Sequence, residues 1–174
     1  MKSIVLVIAA LISLNAFSQD KYLTKTGTVS FEASAPAFEK VAASNNSATA
    51  IYNKDNGKFA ALVLVKGFRF KNALMEEHFN ENYAESDTYP KAIFKGSISL
   101  ENSKYLINGE LTFHGKTVAL KPVPLELEEL NGAIKISGRF TVNNSDFDIK
   151  IPKIVRKKIS ETIEVSFEFN MKKK

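Results

Sequence analysis

Two side chains in this chain, His78 and His114, are of the kind that most often moves protons near neutral pH, and none of the 174 residues is a cysteine. A zinc or acid–base centre built on histidine usually announces itself by two imidazoles at ligand spacing, or by an imidazole beside a carboxylate. Here the two histidines are far apart in the chain and neither has a second imidazole near it. Carboxylates from distant segments would be needed to complete a site, so no catalytic residue and no metal ligand is assigned. The carboxylate pairs Glu76-Glu77 and Glu128-Glu129 are adjacent, and immediate neighbours on regular structure do not converge. There is no Gly-x-Ser-x-Gly elbow, no phosphate loop and no dinucleotide fingerprint. The missing cysteine removes thiol nucleophiles, thiolate metal sites, disulfides and a lipidated N-terminal cysteine.

What remains is apolar chemistry, and the elements that would position it repeat with a period of two. Ala92, Phe94, Gly96, Ile98 and Leu100 alternate with polar neighbours, as do Tyr105, Ile107, Gly109, Leu111 and Phe113. Ile134, Ile136, Gly138, Phe140 and Val142 follow the same rule, and so do Ile163, Val165, Phe167, Phe169 and Met171. Such alternation describes strands with one apolar and one wet face, as in an antiparallel sheet. Turn signals stand between them at Asn53 to Lys58, Asn102-Ser103, His114-Gly115-Lys116, Asn131-Gly132 and Asn143-Asn144. Further strands are read at about Thr24 to Ala33, Ala48 to Asn53, Lys58 to Phe70 and Thr117 to Leu127. Eight sequential antiparallel strands leave two edges unless the sheet closes, so the fold class predicted is all-β, an eight-stranded antiparallel barrel. Such a barrel is either filled by side chains or holds one small ligand. Gly96, Gly109 and Gly138 occupy inward mid-strand positions, where they serve either curvature or interior space.

One segment breaks the period. Met75, Phe79 and Tyr83 are spaced four apart, with Leu74 and His78 beside them, the stripe of a short amphipathic helix between strands 3 and 4. It either caps the core or forms a lid beside a ligand. The preceding strand is apolar on both faces from Phe59 to Val65, and the helix is the expected cover for its outer side.

At the N-terminus, Lys2, the apolar run from Ile4 to Leu11 and the small residues around Ala16-Phe17-Ser18 read as a signal peptide over residues 1–18, followed by one domain over 19–174. A periplasmic or secreted location is therefore expected. The net charge of +5 is mildly basic, and no nucleic-acid partner is indicated. Lys150, Lys153, Arg156, Lys157 and Lys158, with Lys172 to Lys174, form a cationic feature suited to weak contact with anionic lipid headgroups, or simply to solvation.

The segment from Phe70 to Phe79, continued through Asn82-Tyr83 and Tyr89-Pro90-Lys91-Ala92-Ile93-Phe94, resembles the central signature of the YceI-like family. Gly109-Glu110-Leu111-Thr112-Phe113-His114-Gly115-Lys116-Thr117 resembles the family's Leu-Thr-x-x-Gly-x-Thr turn, and Asp146-Phe147-Asp148-Ile149 is a weaker third match. The chain departs from the pattern at Asp148, where glycine is usual, and in having no Trp element near Gly27 to Phe31. The resemblance implies an exported, lipocalin-like barrel with no catalytic cofactor, holding an isoprenoid lipid or quinone. Phe31, Phe59, Val63, Met75, Phe79, Phe94, Ile98, Phe113, Phe140 and Phe167 are the candidate apolar lining, with His78 and Tyr83 as polar candidates at the mouth. A homodimer formed through apolar mouths is a further expectation. The competing readings are a filled barrel serving as a structural or interaction module of the envelope, and an envelope enzyme using His78 or His114.

Overall fold

Three of the turns place both of their residues at positive φ: Asn102 and Ser103 (49° and 63°), His114 and Gly115 (48° and 74°), and Asn131 and Gly132 (51° and 77°). Turns of this hand match the twist of the strands that they join, and Asn and Gly adopt them at least cost. In the computed structural model, which describes residues 20–34 and 40–174, they connect β5 (Lys91–Glu101) to β6 (Lys104–Phe113), β6 to β7 (Lys116–Leu130), and β7 to β8 (Ala133–Asn143). The remaining strands are β1 (Lys21–Ser34), β2 (Ala42–Asn53), β3 (Lys58–Leu64), the two-residue β4 (Arg69–Phe70) and β9 (Ile159–Lys173). The expected signal peptide lies outside the described residues.

Every neighbouring pair is antiparallel, and β1 pairs with both β2 and β9, which closes the sheet into a barrel. The strand read as Lys58 to Phe70 is interrupted: β3 and β4 pair successive stretches of one edge of β2, with a 3-10 turn at Val65–Gly67 between them. Counted as one broken strand, they complete the eight-stranded barrel. At the break Asn45, fully buried, donates from Nδ2 to the Leu64 carbonyl at 2.9 Å, while its Oδ1 accepts from the Ser47 backbone N–H and hydroxyl, both at 2.8 Å. A side-chain amide thus takes the place of a missing ladder bond, as burial of backbone polar groups requires.

β2 begins six residues before the expected Ala48. Ser44, Asn45, Asn46 and Ser47 have the composition of a turn, and pairing with β1 across Ser30↔Ser44 and Ala43↔Phe31 overrides that preference.

The β7–β8 ladder covers only one end of the barrel, from Leu125↔Gly138 to Leu130↔Ala133. Above it β7 carries an extra residue between Leu120 and Val123 relative to β6, and Pro122 and Pro124 bring no N–H to any ladder. The 3-10 turn Asn144–Phe147, which opens on a reciprocal Asn143/Asp146 cap, packs against β7 over this stretch. Asn143-Asn144 therefore starts a cap, not a hairpin.

The apolar interior is in two parts. At the end that holds the 54–57, 102–103 and 131–132 turns, Tyr22, Tyr52, Ile98, Ile134, Ile136 and Met171 form a filled core. Toward the other end Ala33, Val142, Phe147 and Ile163 form a smaller cluster, with the cavity between them and the walls. The predicted helix is α1 (Ala73–His78), capped by Asn72, whose side chain accepts from the Leu74 N–H at 2.9 Å, and it runs on into a π turn at Phe79–Tyr83. It does not cover the outer face of β3, as the sequence suggested. The 3-10 turn and β4 swing the chain across the barrel end, so the helix caps the mouth and Leu64 stays 52% exposed.

Candidate ligand-binding site

The strands that line the upper half of the barrel alternate in register, so their inward side chains meet around one cavity of about 360 Å³, within the size range of small-ligand pockets. Phe31 from β1, Phe59, Ala61 and Val63 from β3, Ala92 and Phe94 from β5, Leu111 and Phe113 from β6, and Phe140, Val165 and Phe167 from β8 and β9 form the wall. Phe169, packed on Phe59 with ring centroids 5.6 Å apart, stands toward the floor.

Two segments roof the cavity. One is α1 with its π turn, which presents Met75, His78, Phe79 and Tyr83. Beneath it Phe79 packs on Phe31, Phe70 and Phe68 at centroid distances of 5.3, 5.2 and 5.9 Å, so the helix is seated by an aromatic cluster. The other is the chain between β8 and β9, where Phe147, Ile149, Ile151 and Val155 point inward and Lys158 reaches the rim. Phe147, buried against Phe113 at 5.6 Å, belongs to the 3-10 turn at the unpaired β7–β8 stretch.

The β8–β9 segment is fastened to the β6–β7 turn at two points. His114 donates from Nδ1 to the Phe147 carbonyl at 2.9 Å, because a carbonyl can only accept, and its Nε2 lies 3.4 Å from Glu85 Oε1. Tyr89 stands edge-on to the imidazole at 4.7 Å. Beside it Lys116 Nζ pairs with Asp148 Oδ2 at 2.7 Å. That hydrogen bond and the lysine's charge hold the Asp148 carboxyl below its ordinary range, and raise Lys116 in return. Asp148 has φ 56° and ψ 23°, the left-handed region, which is the conformational reason for glycine being usual at that place in the resemblance noted above. Here the residue keeps a side chain and uses it in the ion pair.

Of the candidate lining residues, Phe31, Phe59, Val63, Met75, Phe79, Phe94, Phe113, Phe140 and Phe167 all face the cavity, as do the mouth candidates His78 and Tyr83. Ile98 is the correction: it shares the inward phase of Phe94 but lies lower in β5, buried in the filled core and away from the cavity. His114 does not line the cavity and serves as a strut. Sequence reasoning missed Phe68, Phe70 and Phe147, which lie in turns and a short bridge where no period exists to assign a face. It also passed over Phe169, which the alternation of β9 had already turned inward. Among the described residues, no group of three or more His, Asp or Glu side chains converges to hold a metal ion.

The glycines divide. Gly96 and Gly109 face each other across β5 and β6 and serve the backbone: a Cβ on Gly96 would stand 2.0 Å from the Asn108 carbonyl oxygen. Gly138 instead leaves room for a side chain, since a Cβ there would meet the Phe167 ring at 2.8 Å.

A closed antiparallel barrel, filled at one end and enclosing an apolar, roofed cavity at the other, is the architecture of a lipocalin-like binding protein. The chain belongs to the YceI-like domain family, whose model matches residues 21–171. No curated protein matches the chain in sequence. Among solved structures it is similar to a polyisoprenoid-binding domain from Saccharophagus degradans, at TM-score 0.76 and 14% identity, covering 90% of this chain and 99% of that one. It is also similar to BcnA from Burkholderia cenocepacia, at TM-score 0.72 and 17% identity, covering 83% and 95%. A third similar fold is the Campylobacter jejuni YceI protein, at TM-score 0.55 and 17% identity, covering 71% and 80%.

Proposed function

We propose that this protein is an exported lipid-binding barrel that holds the tail of an isoprenoid lipid or an isoprenoid quinone in the upper cavity, with the polar head at the mouth near His78, Tyr83 and Lys158. The observation that carries the reading is the cavity itself: an interior walled by Phe, Val, Leu and Ile that side chains leave unfilled. A tail without polar groups needs only such a dry space. Burial stabilises it by roughly 4 kcal/mol per isoprene unit, at about 0.8 kcal/mol per buried carbon. A few units offset an association cost on the order of 4–15 kcal/mol. The polyisoprenoid-binding relative from Saccharophagus degradans supports the ligand class, and the N-terminal sequence supports export to the periplasm or beyond. The same cavity weighs against a barrel filled throughout and serving only as a structural module.

The test is native mass spectrometry of the purified protein, followed by solvent extraction and mass analysis of what is released. A stoichiometric isoprenoid is the expected result. A protein that comes empty and takes up neither a polyprenol nor a quinone on titration would refute the reading.

A further inference from the structure

Among the described residues, cations outside any ion pair are spread along the strands, at Lys21, Lys25, Lys58, Lys91, Lys95, Lys104, Lys121, Lys172 and Lys174, and are densest between β8 and β9. Along the walls and lower rim, Lys54, Lys135, Arg139 and Lys173 are each paired with a carboxylate, and at the mouth so are Lys66, Arg69 and Lys116. Among the described residues, Lys150, Lys153, Arg156, Lys157 and Lys158 belong to no ion pair, although they crowd into one short segment of the cavity roof. Of the acidic groups that border this segment, Asp148 pairs with Lys116 and Glu161 accepts from the Ser145 backbone N–H at 3.0 Å, while Lys150 and Arg156 act on them only as nearby charges that help to lower the two carboxyls.

Within that segment the apolar residues divide by direction. Ile149, Ile151 and Val155 point into the cavity, whereas Ile154, between Lys153 and Val155, stands 88% exposed on a turn held by hydrogen bonds from the Val155 and Arg156 N–H groups to the Pro152 carbonyl, both 3.1 Å. On α1, the other roof segment, Leu74 is 58% exposed three residues after Lys71, and the same helix with its π turn also exposes Glu77 and Glu81, so the cationic side of the mouth is the 150–158 segment. Single exposed apolar residues need no explanation. An exposed isoleucine on a cationic turn of one roof segment, with an exposed leucine on the other roof segment of an apolar cavity, has the chemistry of a membrane-surface contact: apolar side chains enter the headgroup layer while lysines and arginines meet lipid phosphates.

We propose that the mouth of the barrel docks on an anionic lipid bilayer, through Ile154 and Leu74 in the headgroup region and the unpaired cations of residues 150–158 against the phosphates. The cavity then opens directly onto the bilayer, so an apolar ligand passes between membrane and barrel without crossing water. That last step rests on the lipid-binding reading above; the docking does not.

The test uses the protein purified after expression of the full chain and vesicles of phosphatidylcholine alone or with phosphatidylglycerol. The protein sediments with the anionic vesicles, at least tenfold more strongly than with the neutral ones, and added salt weakens the association. The variant Lys153→Glu, Arg156→Glu, Lys157→Glu loses that binding at least tenfold, while Lys172→Glu, Lys174→Glu at the opposite end keeps it. Because the chain has no tryptophan, Ile154→Trp supplies a single reporter whose emission shifts to the blue on anionic vesicles. Leu130→Trp, exposed at the far end beside Glu128 and Glu129, does not shift. Binding that ignores vesicle charge, equal losses in both charge variants, or a shift at 130 and none at 154 overturns the proposal. An extractable isoprenoid in a protein that ignores anionic vesicles overturns the docking and leaves the lipid-binding reading standing; vesicle docking by a protein that takes up no isoprenoid does the reverse.

Discussion

Gly96 and Gly109 stand directly opposite each other on β5 and β6, and the strands approach so closely there that a Cβ on Gly109 would lie 2.6 Å from the Gly96 Cα and 2.3 Å from the Lys95 carbonyl oxygen. The obstacles are backbone atoms, which cannot rotate away. Gly96→Ala is therefore expected to destabilise the barrel by about 1–3 kcal/mol, in the range of overpacked cores. Gly138→Ala meets a ring that can turn, and should be milder. Urea midpoints of the two variants decide this; equal losses would remove the distinction between a backbone contact and a space for Phe167.

Asn45 donates to the Leu64 carbonyl at the β3 break, and it is fully buried. Asn45→Ala leaves that acceptor and the Ser47 donors short of a partner, at a cost of about 1–3 kcal/mol. Asn45→Asp should cost more, because a carboxylate cannot donate to Leu64 and would be buried without a counter-charge. A urea titration in which the Asp variant is the more stable of the two contradicts the assigned hydrogen bond.

The Lys116–Asp148 pair sets an acid limit on the roof of the cavity. Asp148 titrates below its ordinary value of 3.8 in the folded protein, so the pair's contribution is complete above about that pH and fades as pH falls through the lower, folded value. Carboxyl NMR titration should place Asp148 below 3.8, and Lys116→Met should return it toward that value. A midpoint that does not respond to Lys116→Met means that the ion pair is not formed in solution.

Filling the cavity should separate binding from folding. Ala61 faces the cavity from β3, and Ala61→Phe is expected to weaken uptake of a polyprenol or quinone at least tenfold while holding or raising the Tm. Ile98→Val, in the filled end, should leave uptake unchanged and lower stability by about 0.5–1.5 kcal/mol. Uptake that survives Ala61→Phe intact puts the ligand elsewhere.

By itself the sequence determined the wall of this protein. A period of two carries through β5, β6, β8 and β9 because each strand has water on one side and an apolar interior on the other. That constraint is local, so it can be read residue by residue, and it turned Phe94, Phe113, Phe140 and Phe167 toward the cavity. Only the tertiary structure decided where the interior is filled and where it is open. Ile98 and Phe94 have the same phase on the same strand, and their difference lies in what the other strands bring to each level. The roof was equally out of reach: Phe68, Phe70 and Phe147 sit in turns without a period, and the course of α1 across the mouth depends on the break at Leu64 that a buried Asn45 from another strand supports. Alternation is set by solvent on one side of a single strand, whereas a cavity is set by how side chains from many strands meet, and that sum exists only once the barrel has closed.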